Sequence, residues 1–190
     1  MRKCYTVILS ALASILFTTT YAFSSSPVYF KSPIKFRGTG CPGFNSITVP
    51  EDNKDTVTIL FDQFDAARPK DNATSGTMRT SCSFVIPVHV PQGLQVSTMT
   101  ATWKGYAEGR TKLRREYFFA GQRGPRADDS PKGDFTVRDN LMHGTAVWGK
   151  CGTDVPMRVN VAIRAESNPS YIAIKNMMSL KLTWRKCADN

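Results

Sequence analysis

The sequence predicts an all-β protein, an antiparallel β-sandwich of jelly-roll-like topology held by two disulfides. Three observations predict it. Short segments alternate apolar and polar residues with a period of two, residues typical of turns separate them, and four widely spaced cysteines follow an apolar N-terminal run. No segment keeps a helical period over several turns. About eight short strands at this spacing fit one domain of two packed sheets.

The N-terminal segment, residues 1–22, has the pattern of a secretory signal peptide. Arg2 and Lys3 precede an apolar run over residues 7–17, and a small-residue pattern predicts cleavage after Ala22. A membrane span needs roughly 20 apolar residues, so this run predicts no transmembrane anchor. We therefore expect a secreted, extracellular protein, or a periplasmic one if the host is Gram-negative.

The rest of the chain is predicted to consist of a short lead and one domain. Residues 23–35 are polar and contain Ser and Pro, which predicts a flexible arm or an edge segment. Residues 36–190 are predicted to form a single β-sandwich domain. Two polar stretches, residues 66–80 and 122–134, are predicted to be long loops.

The alternating segments predict the strands in order. The clearest segment is residues 157–165, in which every odd-numbered residue is apolar. The other segments have their apolar parity at Val57, Ile59 and Phe61; Phe84, Ile86 and Val88; Met99, Ala101 and Trp103; Leu113, Tyr117 and Phe119; and Leu180, Leu182 and Trp184. Pro87 and Pro91 cannot donate ladder hydrogen bonds, so their strand is predicted to be an edge strand or to be bulged. By the same parity, Trp103 and Trp184 are expected in the core.

The cysteines predict two disulfides. Cys4 lies in the signal segment, which leaves Cys41, Cys82, Cys151 and Cys187, an even number in an exported chain. Three pairings are possible, and we favour Cys41–Cys187 with Cys82–Cys151. Each of these bonds closes a long loop, worth roughly 4–5 kcal/mol in the chain-entropy model. The wide spacing, without a Cys-x-x-Cys pair, argues against a zinc site.

An ordered set of motifs in this chain resembles a known family. The segments are Gly38 to Pro42, Val57 to Phe64, Cys82 to Gly93, Gly105 to Ala107, Tyr117 to Gln122, Trp148 to Gly152 and Leu182 to Cys187. Together with the four cysteines they resemble the secreted "domain of unknown function 4360" family of fungi and bacteria. The resemblance covers nearly the whole mature chain and implies an exported domain of this size. It implies no catalytic or binding residue.

The charge of the chain is strongly positive. The formal net charge is +10, and cleavage after Ala22 removes Arg2 and Lys3 and leaves +8. Such a surplus favours acidic partners, here an anionic polysaccharide or a component of an envelope or matrix, and the alternative is a role in solubility alone. We expect no nucleic-acid partner and no cofactor. The sequence does not indicate an oligomeric state.

One basic segment is the candidate binding site. Arginine and aromatic side chains together can hold anionic or sugar ligands. The candidate anion- or glycan-binding residues are Arg110, Lys112, Arg114, Arg115, Tyr117, Arg123 and Arg126. The alternative is an ordinary solvated strand face, because Lys112 and Arg114 share their parity with Glu116.

Catalytic machinery is poorly represented, so no catalytic or metal-binding residue is assigned. The only histidines are His89 and His143, and no Gly-x-Ser-x-Gly elbow is present. Glu108 and Glu116 are the carboxylates nearest to aromatic residues, as a glycosidase pair requires, but exposed charges at strand ends explain them better. A calcium loop is disfavoured because the acidic residues of the second polar stretch lack its spacing: Asp128, Asp129 and Asp134.

Three functional classes remain, and catalysis is left undecided with a preference against it. We favour a non-catalytic extracellular binding or structural module for anionic or glycan ligands. The alternatives are a polysaccharide-active enzyme and a secreted effector or inhibitor that binds another protein. A flat basic face would favour the binding module, and two carboxylates in one cleft would favour the enzyme. A large exposed apolar patch would favour the effector or inhibitor.

Overall fold

A computed structural model describes residues 27–42, 47–48, 54–70, 78–119, 121–142 and 147–188. The predicted signal peptide, residues 1–22, lies outside these residues. All regular structure in the described residues is β. The twelve strands are β1 (Tyr29–Phe30), β2 (Lys35–Arg37), β3 (Ile47–Thr48), β4 (Thr56–Ile59), β5 (Asp65–Arg68), β6 (Arg79–His89), β7 (Leu94–Glu108), β8 (Thr111–Phe119), β9 (Gln122–Asp129), β10 (Gly133–Asn140), β11 (Val155–Ala165) and β12 (Ser170–Lys186).

The strands form two antiparallel sheets. Sheet A has the order β1-β6-β11-β8-β9, with β2 also beside β6, and sheet B has the order β10-β7-β12-β4-β3, with β5 also beside β12. The eight main strands therefore read β6-β11-β8-β9 in one sheet and β4-β12-β7-β10 in the other. This is the strand order of a jelly roll, so the predicted jelly-roll-like sandwich is confirmed.

The core lies between the two sheets and follows the predicted parity in most strands. In β11, Met157, Val159 and Ile163 are fully buried, and Trp103 of β7 is also fully buried, as predicted. Trp184 is 43% exposed, so its predicted core position is wrong. The pairing of β12 with β7 shifts register between Lys181 and Leu182, and β12 then continues to the end of the sandwich, where fewer groups cover it.

The expected long loop over residues 122–134 is wrong, because this stretch forms β9 and the start of β10. Strand β9 pairs with β8, and β10 pairs with β7 of the opposite sheet. The alternation of β9 is one of charges rather than of apolar residues, which hides it from a hydrophobic pattern. Part of the other expected loop, residues 66–80, is also strand: β5 ends and β6 begins within it.

The described part of the predicted lead, residues 27–35, is an edge segment of sheet A rather than a free arm. Tyr29 and Phe30 of β1 pair with the end of β6. Val28 is fully buried and Phe30 is 4% exposed. Apolar side chains anchored in this way hold the segment against the core.

Pro87 does not mark an edge strand, contrary to the prediction. Strand β6 lies between β11 on one side and β1 and β2 on the other. The Pro87 carbonyl accepts a hydrogen bond from the Lys31 N–H on the side of β1 and β2, at 2.8 Å. A residue's N–H and C=O point to the same side of a strand, so the missing donor of Pro87 faces the gap between β1 and β2. The proline therefore leaves the ladder with β11 intact, and its missing donor falls on the side where β1 and β2 are interrupted.

The predicted disulfide pairing, Cys41–Cys187 with Cys82–Cys151, is wrong. The first bond joins Cys41 to Cys82, over a sequence separation of 41 residues. Strand β2 lies beside the start of β6, and the Gly40 N–H donates to the Ser81 carbonyl at 3.1 Å. This pairing of neighbouring segments places the two cysteines side by side.

The second bond joins Cys151 to Cys187, over a separation of 36 residues. The Cys187 N–H donates to the Gly93 carbonyl at 2.8 Å, and the Gly152 N–H donates to the Leu94 carbonyl at 2.9 Å. Both cysteines are thus held at the start of β7. Two disulfides are present as predicted, but each joins segments that the sheets have already brought together.

Candidate functional site

Two of the predicted binding residues lie inside the sandwich. The Arg115 side chain is fully buried, and Tyr117 is 2% exposed. Arg115 donates from Nε and Nη2 to the carboxylate of Asp139, at 2.8 and 2.7 Å, and from Nη1 to the Leu113 carbonyl. Its Nη2 also donates to Asp129. Arg115 and Tyr117 are therefore structural residues and cannot contact a ligand on the surface.

This buried network links the two sheets. Tyr117 donates its hydroxyl proton to Asp139, and the Trp103 indole N–H donates to the Tyr117 oxygen at 2.8 Å. Burial disfavours the charge of Arg115, but the hydrogen bonds and the charge of Asp139 outweigh burial and raise its pKa. Burial, with a further contribution from Asp139, raises the pKa of Tyr117 well above its ordinary value. Both shifts favour a charged Arg115 and a neutral Tyr117, as their hydrogen bonds to Asp139 require.

The outer surface of sheet A is strongly basic. The outward side chains of β2, β6, β8, β9 and β11 include nine Lys or Arg residues and two carboxylates. We call this surface the basic face. Its cations are Lys35, Arg37, Arg79, Lys112, Arg114, Arg123, Arg126, Arg158 and Arg164, and its carboxylates are Glu116 and Asp128.

Three predicted site residues on this face are already neutralised. Asp128 accepts hydrogen bonds from Arg114 at 2.8 Å and from Arg126 at 2.9 Å. Glu116 lies 3.4 Å from Arg123 and 3.7 Å from Arg126. The hydrogen bond from Arg114, followed by that from Arg126, lowers the pKa of Asp128. The predicted cluster on β8 and β9 is thus largely a solvated ion-pair network.

The remaining cations of the basic face have no such partners. Within the described ranges, none of them has a carboxylate within 4 Å; these six are Lys35, Arg37, Arg79, Lys112, Arg158 and Arg164. Of these, sequence reasoning singled out only Lys112. Arg158 and Arg164 sit on the polar parity of β11, the clearest alternation in the sequence, and that parity was the signal for their outward position.

Three of the uncompensated cations, Arg37, Arg79 and Arg158, line a shallow depression together with the paired Arg114. Its sides are formed by Arg37, Arg79, Arg114 and Arg158, its volume is about 400 Å³, and Glu116 reaches it from β8. A smaller depression of about 130 Å³ adjoins it and shares Arg79 and Arg114. The floor consists of small polar or apolar side chains: Ser81, Ser83, Asn160 and Ala162.

Arg110 lies away from the basic face, at the turn between β7 and β8. Its guanidinium donates to the Glu166 carbonyl at 3.2 Å, and its Nε lies 4.0 Å from the Glu166 carboxylate. It lines a separate depression of about 600 Å³ together with Glu108 and Lys132. Glu108 and Glu116 therefore belong to different depressions and do not form a catalytic pair.

The described residues contain no group suited to hold a metal ion and no membrane-spanning helix. In residues that the structure describes, no group of three or more His, Cys, Asp or Glu side chains is arranged to hold a metal ion. The His89 ring lies tilted against Tyr29, with centroids 4.8 Å apart, and its Nδ1 lies 2.9 Å from Asp154, while His143 lies outside the described residues. The described part of the chain contains no helix with the length and hydropathy needed to cross a membrane.

The fold and this surface define a disulfide-bonded jelly-roll domain with one basic face. The family model "Domain of unknown function (DUF4360)" matches residues 31–187. The chain belongs to this family, which confirms the resemblance found in the sequence.

Individual matches add little about function. An "Uncharacterized secreted protein" of Arthroderma benhamiae is 27% identical over 140 residues, covering 69% of this chain and 57% of the relative. The chain thus spans little more than half the length of that relative. The protein is extracellular, consistent with its two disulfides and with the secretion of this relative.

Two solved structures are weakly similar. TmCBM61 in complex with beta-1,4-galactotriose is 8% identical, with a TM-score of 0.33, over 82% of this chain and 90% of that one. The GH31 alpha-xylosidase Xac1773 of Xanthomonas citri is 8% identical, with a TM-score of 0.22, over 82% of this chain and 19% of that one. At these TM-scores, neither match bears on the fold or the ligand of this chain.

Proposed function

We propose that this protein is a non-catalytic extracellular module that binds an anionic polysaccharide through the basic face. The observation that supports it is the set of six outward cations without a carboxylate partner in the described residues. On this face nine cations stand against two carboxylates, and both carboxylates are already paired with arginines, so a large positive charge is left uncompensated. A polymer with many negative charges interacts with all of them at once.

The opposite surface of the molecule provides the contrast. The outward side chains of β7 and β12 in sheet B include Thr100, Thr102, Lys104, Ser179 and Lys181. Sheet B also has Arg138, Arg185 and Lys186 exposed without a carboxylate within 4 Å in the described residues, but Glu108 and Asp134 are exposed on the same sheet and offset part of this charge. Binding that depends on charge density therefore favours sheet A over sheet B.

Hydrolysis of the polysaccharide is disfavoured by the chemistry of the two carboxylates on the face. A glycosidase needs one carboxyl group with a raised pKa to protonate the leaving oxygen. The arginines around Asp128 lower its pKa instead. Glu116 is engaged by Arg123 and Arg126. Both carboxylates serve to fix arginine side chains.

The first test is a binding titration of the oxidised mature protein with polygalacturonate, a carboxylated polysaccharide. We expect binding at low salt and a steep loss at high salt, because the screening length falls from about 10 Å at 0.1 M to about 3 Å at 1 M. Dextran, which is neutral, should not bind. Failure to bind polygalacturonate, or binding that salt does not weaken, would refute the proposal. Stronger binding to phosphatidylserine vesicles than to polygalacturonate would identify a membrane surface instead.

A pair of charge-matched variants assigns the binding to one sheet. Arg79→Gln/Arg164→Gln removes two cations from the basic face, and Lys104→Gln/Lys181→Gln removes two from sheet B. We expect the first variant to weaken polygalacturonate binding at least about tenfold, because hydrogen bonds to charged groups contribute about 1.5–3 kcal/mol each. The second should stay within about twofold of the wild type, since distant exposed charges are screened. Equal effects of the two variants would contradict a specific face.

A further inference from the structure

The cations of the basic face are ordered in rows across the strands. Arg79 of β6 lies directly opposite Arg164 of β11, and Arg164 lies opposite Lys112 of β8. Residues opposite one another have Cβ atoms about 4.5–5.5 Å apart, and like charges in such pairs are destabilising. We call these three residues the first cationic row. A bound anionic group between them relieves the repulsion.

The nearest carboxylate does not neutralise this row. Glu166 reaches the same small depression, but its carboxylate lies 4.0 Å from Arg110 Nε at the turn after β7. Among the described residues, no carboxylate lies within 4 Å of Arg79, Arg164 or Lys112. The first row is therefore a place where three positive charges meet without a direct ion pair, and Glu166 is the one carboxylate that lines the same depression among the described residues.

A second cationic row lies further along the same strands. Arg158 of β11 is opposite Val85 of β6, and Val85 is opposite Lys35 of β2. Arg158 and Arg164 are six positions apart on one strand, a distance of about 20 Å at about 3.4 Å per residue. Arg158 and Lys35 also have no carboxylate within 4 Å in the described part of the chain. The second row thus carries two cations against three in the first, and the two rows are separated along the strand direction.

The surface between the rows is low and polar. Ser81, Ser83, Asn160 and Ala162 form its floor, with Arg37 at one side and Arg114 and Glu116 at the other. The Glu116 carboxylate is paired with Arg123 and Arg126 of β9. The Ser83 hydroxyl donates to Asn160 Oδ1 at 2.7 Å, which holds the amide oxygen toward β6 and leaves the Asn160 NH₂ group as a donor. Small side chains between long arginines make a channel rather than a flat patch. Hydroxyl and amide groups in its floor suit the hydroxyls of a sugar.

We propose that one extended anionic chain lies in this channel along the strand direction, with an anionic group at each cationic row. This rests on the proposed function and specifies its ligand: a linear polyanion whose charged groups are spaced to meet both rows, about 20 Å apart. A ligand that reaches both rows gains binding free energy from the second contact, because the translational freedom has already been lost at the first contact. A short oligomer occupies one row at a time.

The test is a series of oligogalacturonates of increasing length, titrated by calorimetry into the oxidised protein at low salt. We expect the affinity per oligomer to rise at least about tenfold once the chain spans about 20 Å, and then to level off with one oligomer per protein. An affinity that is the same for all lengths contradicts two-row binding, and so does one that rises in proportion to length without a plateau. If neither the oligomers nor polygalacturonate bind, the proposed function itself fails.

Two double variants separate the rows. Arg79→Gln/Arg164→Gln disables the first row, and Lys35→Gln/Arg158→Gln disables the second, with the same change in net charge. We expect either variant to abolish the gain from length while the shortest oligomers still bind the intact row. The Lys104→Gln/Lys181→Gln variant should keep the full gain. A gain from length that persists in both row variants would overturn the proposal.

Discussion

Replacing Asp139 with asparagine is expected to lower the free energy of unfolding by about 3–5 kcal/mol, the usual cost of breaking one side of a buried ion pair. The substitution keeps the shape of the side chain and removes its charge. Arg115 is fully buried and makes two hydrogen bonds to Asp139, at 2.8 and 2.7 Å. With asparagine, one of the two oxygens that accept from Arg115 becomes an NH₂ donor, and the guanidinium keeps Asp129, the Leu113 carbonyl and the single amide oxygen as acceptors. Urea denaturation of the two proteins measures the difference.

The control for this prediction is Asp128→Asn. Asp128 also pairs with arginine, but its side chain is 32% exposed and its partners are on the surface. We expect a loss of less than about 1 kcal/mol there, because water screens exposed pairs. The double variant Arg115→Met/Asp139→Leu should be more stable than Asp139→Asn, since it removes both buried charges. A difference of less than about 1 kcal/mol between Asp139→Asn and the wild type would refute the structural role of this network.

Removal of the Cys151–Cys187 disulfide is expected to lower the free energy of unfolding by a similar amount. For a loop defined by a separation of 36 residues, the chain-entropy model gives roughly 4 kcal/mol. At about 2–4 °C per kcal/mol for a domain of this size, the melting temperature should fall by about 8–16 °C. The variant Cys151→Ala/Cys187→Ala, melted in a calorimeter beside the oxidised wild type, measures this shift.

The second disulfide provides the matched comparison. Cys41–Cys82 closes a loop of nearly the same size, with a separation of 41 residues, so Cys41→Ala/Cys82→Ala should cause a shift of the same order. Reduction of the wild type should lower its melting temperature more than either double variant does. Melting temperatures that do not change on complete reduction would contradict a stabilising role for both bonds.

The architecture was predictable from strands that bury one apolar parity. The alternation of Met157, Val159, Val161 and Ile163 predicts β11 because the core accepts only one of its faces. Strand β9 was not predictable in this way, since both of its parities are polar and its charges are satisfied by β8. The short edge strands have too few residues to show any period.

The disulfide pairing depended on information that spacing does not contain. Cys41 meets Cys82 because β2 pairs with β6, and Cys151 meets Cys187 because both adjoin the start of β7. Neither relation follows from the positions of the cysteines in the sequence. The pairing of distant strands decides which cysteines meet, and the whole fold determines that strand pairing.

The candidate site was predictable only in part. The basic composition of β8 and β9 was visible, and Arg114, Arg123 and Arg126 do lie on the basic face. Their neutralisation by Glu116 and Asp128 depends on cross-strand register, which the sequence does not show. The unpaired cations come from four strands, β2, β6, β8 and β11, which are far apart in the sequence and meet only in the sheet.

Arg115 shows what the sequence pattern could have revealed. It shares its parity with Leu113, Tyr117 and Phe119, all of which are buried. A basic residue on an apolar parity is usually assigned to the surface because an unpaired buried charge is costly. Here Asp139 supplies the partner from the opposite sheet. Parity was therefore a better guide to the position of Arg115 than its charge.

The most direct test of the central claim is a map of amide chemical-shift changes when polygalacturonate oligomers are added to the isotope-labelled, oxidised protein. If the basic face is the binding surface, the largest changes fall on the parts of β6, β11 and β8 that line the channel, between Arg79 and Val85, between Arg158 and Arg164, and around Arg114. The amides of β7 and β12 around Lys104 and Lys181 should shift little. Changes centred on sheet B, or no changes under conditions where the oligomers are retained by the protein, would contradict it.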